Sequence, residues 1–116
     1  MPRSIAGTND YGHNHDTGPA WEANFTRAYV NFMHNLTVWH AAPQLPIFCA
    51  VGPLTSKPTP QVNAAIAAFN AAGGNAHFLD QHTSLGGDGC NGHPGPRGHA
   101  AMFEASRPVI AAVMGW

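Results

Sequence analysis

The chain has 116 residues, of which 44% are apolar and only 9% charged, with a formal net charge of -1. This length suits one domain with one core, and the apolar content argues against disorder. The five basic residues are scattered, and no apolar run is long enough to cross a bilayer. We therefore expect a single domain over residues 1–116 whose partners are neither nucleic acid nor a membrane.

The amino-terminal part of the chain predicts a short strand and then a long helix. Residues 4–6 read as a strand that ends at Gly7. Apolar residues then recur at steps of three and four, which predicts an amphipathic helix with Pro19 in its first turn and an apolar stripe facing the core. The stripe consists of Trp21, Phe25, Ala28, Tyr29, Phe32, Leu36 and Trp39.

The middle of the chain predicts a buried strand and a second helix. Residues 47–51 are an unbroken apolar run ended by Gly52, as in a strand buried on both faces of a parallel sheet. Thr59 suits an N-cap before Pro60. Helical spacing and a terminal glycine pair complete this second helix, through Val62, Ile66, Phe69, Gly73 and Gly74.

The carboxyl-terminal part predicts a third strand at residues 76–80, a glycine-rich loop at 85–98 and a last helix at 99–114, which Pro108 should kink. The alternation of strands and helices predicts an α/β fold: a three-layer sandwich with a short parallel sheet. Sites in such sheets gather in the loops beyond the carboxyl ends of the strands.

Two of these loops carry recognisable motifs. Gly-Thr-Asn-Asp at positions 7–10 follows the first strand, and Gly-Cys-Asn-Gly-His-Pro at 89–94 precedes the last helix. In this order they resemble blocks of the SGNH (GDSL-type) hydrolase superfamily. Together with Gly-His at 98–99, Val-Gly-Pro at 51–53 and Gly-Trp at 115–116, the second motif more closely resembles acetyl esterases of carbohydrate esterase family two. The resemblance implies a flavodoxin-like fold without its first strands, and hydrolysis of short acyl esters, in particular acetyl groups on carbohydrate.

The resemblance also implies roles for individual residues. Asn9 matches the family's donor to the oxyanion, and His93 matches the base that takes the proton of a serine hydroxyl. Tyr11 and His13, beside Asn9, are candidates for contact with the substrate. Asp88 is a candidate orienting acid, although it lies five residues before His93 where the superfamily often has an aspartate three before. A Ser-His dyad steadied by a backbone oxygen suits the sequence better.

The nucleophile is the main departure from the family. The sequence contains no Gly-Asp-Ser motif, and its four serines lie outside the expected contexts. We therefore expect the chain to be the carboxyl-terminal part of a larger esterase, truncated before residue 1. We expect no cofactor, and self-association through the sheet edge that the missing strands would leave exposed.

The compartment and the state of the cysteines are linked. Sequons at Asn24 and Asn35 fit a secreted parent protein, although the chain as written has no export signal. Cys49 and Cys90 are either two thiols or, in an oxidising compartment, a disulfide that tethers the catalytic loop.

The sequence is also compatible with two functions other than an esterase. His13, His15 and Asp16 lie in one loop, and His93 and His99 in another, so a metal-binding protein is one alternative. No helical His-x-x-x-His or Cys-x-x-Cys spacing fixes a metal geometry, and we assign no metal. The other alternative is a non-catalytic remnant that binds carbohydrate or a partner chain.

Overall fold

The computed structural model describes residues 10–11, 18–82 and 87–116. These residues form three α-helices and a two-stranded sheet whose strands run parallel. The predicted α/β class with a short parallel sheet is confirmed, while the predicted strand at 4–6 lies outside the described residues. In chain order the elements are α1 (Pro19–Trp39), β1 (Ile47–Val51), α2 (Thr59–Ala71), β2 (Ala76–Asp80), a 3-10 turn (Cys90–Gly92) and α3 (Pro96–Met114).

Helix α1 contributes one face to the core, as its apolar stripe predicts, but the face is shifted. Its buried residues are Tyr29, Met33 and Leu36, again at steps of four and three. Met33 is fully buried although it was not part of the predicted stripe, and Trp39 at the helix end is 67% exposed. The assignment of Trp39 to the core is therefore wrong.

The core lies between the sheet and the helices α1 and α2. Alternate residues of β1 face this side, and Phe69 of α2 is 1% exposed at its centre. Phe48 points to the opposite face of the sheet, where its ring lies 5.7 Å from that of His77. The buried cluster comprises Tyr29, Met33, Leu36, Ile47, Cys49, Val51, Val62, Ala65, Phe69 and Ala76.

Helix α2 begins one residue earlier than predicted, because Pro58 is its N-cap and Thr59 is already helical. No side chain caps this end. At the other end the glycine pair acts as predicted: Gly73 has a φ of 90°, which favours glycine, and the chain turns into β2.

Helix α3 begins at Pro96, three residues before the predicted start, and continues through Pro108 to Met114. It packs against β2. One polar contact ties it to the end of that strand: the Gln81 side chain donates to the Ser106 hydroxyl at 2.8 Å. Within the described residues, none of the helices has the length and apolar character to cross a bilayer.

Candidate functional site

The carboxyl ends of the two strands lie against each other, at the edge where the sequence predicts the site. The Gln81 amide donates to the Val51 carbonyl at 2.8 Å. Gly52 follows with a φ of 113°, and a Cβ there would stand 2.4 Å from the backbone nitrogen of His82. Only glycine fits such a position, so Gly52 allows the two strand exits to meet.

Asp88 organises the loop that leads from β2 to α3. Its Oδ1 accepts a hydrogen bond from the Gly95 amide at 2.5 Å. Its Oδ2 accepts from the amides of Arg97 at 3.2 Å and Gly98 at 3.3 Å. These amides belong to the start of α3, where the N-cap residue Gly95 offers no side chain. Asp88 therefore caps α3 from seven residues away.

The charge of Asp88 is favoured by the same contacts. The Gly95 amide, with smaller contributions from those of Gly98 and Arg97, holds the pKa of the Asp88 carboxyl below its usual value and outweighs the opposing effect of burial. A carboxylate at a helix N-terminus is also favoured by the helix dipole. Asp88 is thus an ionised cap at neutral pH.

His93 lies on the outside of this loop, directly after the 3-10 turn. Its side chain is exposed, and its Nδ1 lies 3.1 Å from the carbonyl oxygen of Asn91. A carbonyl oxygen can only accept, so in the neutral ring Nδ1 carries the hydrogen and Nε2 keeps its lone pair. The contact therefore favours the tautomer in which Nε2 can accept a proton.

The structure brings Asp88 and His93 into one loop but does not pair them. In the described residues, the carboxylate of Asp88 accepts only from backbone amides, and the ring of His93 contacts a backbone oxygen. The imidazole of His93 therefore contacts a backbone oxygen and not the Asp88 carboxylate. The sequence reasoning missed the capping role of Asp88, for which an acidic residue shortly before Gly-Pro at a helix start was the available signal.

Tyr11 packs at the start of α1. Its ring meets Trp21 edge-on at 4.9 Å and Phe25 at 6.0 Å. Its hydroxyl is buried with no hydrogen-bond partner among the described residues. Burial, followed by the charges of Glu22 and Asp10, raises the pKa of Tyr11. The structure thus places Tyr11 in an aromatic cluster.

Asn9 and His13, the other two candidates in the first loop, lie outside the described residues. Their roles as oxyanion donor and substrate contact stay predictions.

The two cysteines are free thiols, so the alternative of a disulfide between them is not realised. Cys49 lies in the middle of β1 and faces α1, where its thiol donates to the Met33 sulfur at 3.6 Å. Burial raises the pKa of Cys49 to about 11, despite a hydrogen bond with Tyr29 that acts in the opposite direction. Cys90 is exposed on the 3-10 turn beyond β2. One thiol belongs to the core and the other to the surface, which explains why they do not pair.

The metal alternative gains no support from the part of the chain that the structure describes, where no three metal-binding side chains cluster. His13, His15 and Asp16 lie outside that part.

Comparison with protein-family models, with curated proteins and with solved structures finds no match for this chain. The resemblance to SGNH esterases therefore rests on the sequence motifs alone.

Proposed function

We propose that this chain carries the general base of an SGNH-type serine esterase that hydrolyses short acyl esters, in particular acetyl groups on carbohydrate. The observation that supports the proposal best is the His93 ring. Its Nδ1 is engaged by the Asn91 carbonyl oxygen, its side chain is exposed, and it lies in the loop after β2. An imidazole held in this tautomer can act as a base through Nε2.

In the proposed mechanism, a serine hydroxyl attacks the ester carbonyl while Nε2 of His93 takes its proton. The Asn91 carbonyl oxygen steadies the imidazolium through the Nδ1 hydrogen, and His93 then returns the proton to the leaving alcohol. The Asn9 side chain donates to the oxyanion, a contact worth about 3–4 kcal/mol at comparable sites. His13 is proposed to flank the bound ester, whereas the Tyr11 ring packs in the aromatic cluster of α1.

The serine is the part that these 116 residues do not supply in a recognisable motif. We propose that it lies in polypeptide preceding residue 1, in a secreted parent protein. The reaction needs no cofactor. Sequencing the gene upstream of the codon for Met1 tests this directly, since an in-frame Gly-Asp-Ser block is expected there.

The encoded protein should then be assayed for acetate release from acetylated carbohydrate and from p-nitrophenyl acetate. We expect His93→Ala to lower kcat by about a thousandfold or more, because the serine loses its base. His40→Ala is the matched control, since His40 is exposed at the end of α1. A reading frame without the serine block would overturn the proposal and favour a non-catalytic binding role. Equal activity in the two variants would overturn the assignment of His93 as the base.

The 116-residue chain alone gives a complementary result. We expect it to hydrolyse p-nitrophenyl acetate no faster than its His93→Ala variant, because the base has no serine to activate. A fluorophosphonate should leave its serines unmodified. Rapid labelling that depends on His93 would show that one of the chain's own serines is the nucleophile.

A further inference from the structure

We infer that Asp88 is a positioning residue for His93, which it holds through the backbone of the loop rather than by contact with the imidazole. The inference rests on the proposed role of His93 as a base. It assigns to Asp88 a function beyond capping α3: the carboxylate fixes where the ring stands.

The loop is closed by hydrogen bonds on both sides of His93. The bond from the Gly95 amide to Asp88 joins the two ends of residues 88–95. Inside this closure, the Gly89 amide donates to the His93 carbonyl at 2.8 Å. The His93 amide donates to the Cys90 carbonyl at 3.1 Å. Both backbone polar groups of His93 are therefore engaged, which sets the direction of its Cα–Cβ bond.

Two glycines leave space for the Asp88 side chain and backbone at the start of α3. A Cβ on Gly98 would stand 2.8 Å from Oδ1 of Asp88 and 2.8 Å from the Cβ of Pro94. A Cβ on Gly95 would stand 2.8 Å from the Asp88 carbonyl oxygen. Asp88 thus occupies the room that the two glycines leave at the start of α3.

The imidazole ring of His93 is held by a backbone oxygen of the same loop. The Asn91 carbonyl that engages Nδ1 lies in the 3-10 turn, where Asn91 has a φ of 53°. This turn is enclosed by the Asp88–Gly95 closure. When the hydrogen bond between Asp88 and the Gly95 amide is lost, we expect the turn to move, so that the Asn91 carbonyl oxygen no longer stays opposite Nδ1 of His93. The tautomer of His93 is therefore the property that Asp88 controls.

The test is the ¹⁵N NMR spectrum of the His93 ring in the labelled 116-residue chain, at a pH where the ring is neutral. In the wild type we expect Nδ1 to be protonated and Nε2 unprotonated. In Asp88→Ala we expect both tautomers to exchange, so that the shifts of the two nitrogens converge. Asp88→Asn keeps one oxygen acceptor, so it should keep most of the difference between the ¹⁵N shifts of Nδ1 and Nε2 that the wild type shows.

Two further variants separate positioning from a general effect of a lost carboxylate. Gly98→Ala keeps the Asp88 carboxylate but crowds its Oδ1 and the Cβ of Pro94, and it should move the ring shifts in the same direction as Asp88→Ala. Asp80→Ala is the matched control, because Asp80 also accepts from a backbone amide, that of His82 at 3.0 Å, but does not reach α3. It should leave the His93 shifts unchanged.

A wild-type ring spectrum in folded Asp88→Ala and Gly98→Ala would overturn the inference and leave Asp88 as a helix cap only. If Asp88→Ala fails to fold, Gly98→Ala decides. In Gly98→Ala, hydrogen exchange of the Gly89 amide should also rise by about tenfold, since that amide is bonded to His93 inside the loop. Unchanged exchange together with an unchanged ring spectrum refutes the positioning role.

These spectra need no ester, so they are independent of the proposed hydrolysis. In the complete esterase we expect Asp88→Ala to lower kcat by about tenfold to a hundredfold with little change in KM, and less than His93→Ala does. Hydrolysis that depends on His93 but not on Asp88 refutes only the inference. A ring that responds to Asp88 in a protein without hydrolytic activity refutes only the proposed function.

Discussion

Replacement of Gly52 by alanine tests how closely the ends of the two strands pack. Gly52 has a φ of 113°, and its Cβ would stand 2.4 Å from the His82 nitrogen and 2.5 Å from the Gln81 carbonyl carbon. Both are backbone atoms, so no side-chain rotation relieves the contact. A left-handed backbone costs a residue with a Cβ about 1–2 kcal/mol, and overpacking about 1–3 kcal/mol. We expect Gly52→Ala to lower the free energy of unfolding by about 2–5 kcal/mol.

The matched control is Gly73→Ala. Gly73 also has a positive φ, of 90°, but a Cβ there would meet nothing within 4 Å. Gly73→Ala should therefore lower the free energy of unfolding only by the cost of the left-handed backbone, about 1–2 kcal/mol. The assay is urea unfolding followed by circular dichroism, with both midpoints compared at an unchanged m-value. Equal losses in the two variants would refute the close contact between Gly52 and the backbone of Gln81 and His82.

Three other predictions concern the thiols, the cap and the sheet edge. In the folded chain Cys90 should react with a thiol reagent while Cys49, buried and with a raised pKa, reacts only on unfolding; equal reaction rates would contradict the placement of Cys49 in the core. The contribution of ionised Asp88 to stability should be fully present above its usual pKa of 3.8 and be lost as the pH falls through its lower folded pKa. The difference between wild type and Asp88→Asn in denaturant unfolding should therefore shrink in acid, and a constant difference would contradict it. In the described residues β1 is paired on one side only, so light scattering at micromolar concentration should show self-association, whereas a monodisperse monomer would count against an exposed edge.

Much of the fold could be predicted from short-range patterns. The two strands occupy the predicted residues, 47–51 and 76–80, because an unbroken apolar run between turn residues has few alternatives to a buried parallel strand. Helix α2 was found through its proline and glycine boundaries as well as its periodicity. These signals are local, so the sequence contains them in full.

The errors come from contacts that the sequence does not encode locally. In α1, Phe32 and Met33 are neighbours in sequence and lie about 100° apart around the helix axis. Apolar residues spaced three and four apart can therefore define either of two neighbouring faces. The packing of α2 and β1 selects the face of Met33. At the site, Asp88 meets Gly95 only because the intervening loop folds back. Because Asp88 lies five residues before His93, the sequence suggested that it orients the imidazole. That spacing could not reveal that Asp88 caps α3 by accepting from Gly95, seven residues later.

The shallow docking of α3 has a consequence for how this protein opens. Its buried residues are only Gly98 and Ser106, whereas α1 and α2 each place larger apolar side chains in the core. Little apolar surface is therefore exposed when α3 detaches, and sub-global opening should begin there. Because Asp88 bonds to the first turn of α3, the His93 loop would be released in the same cooperative step. Helix and loop then form one unfolding unit, separate from the sheet and the two remaining helices.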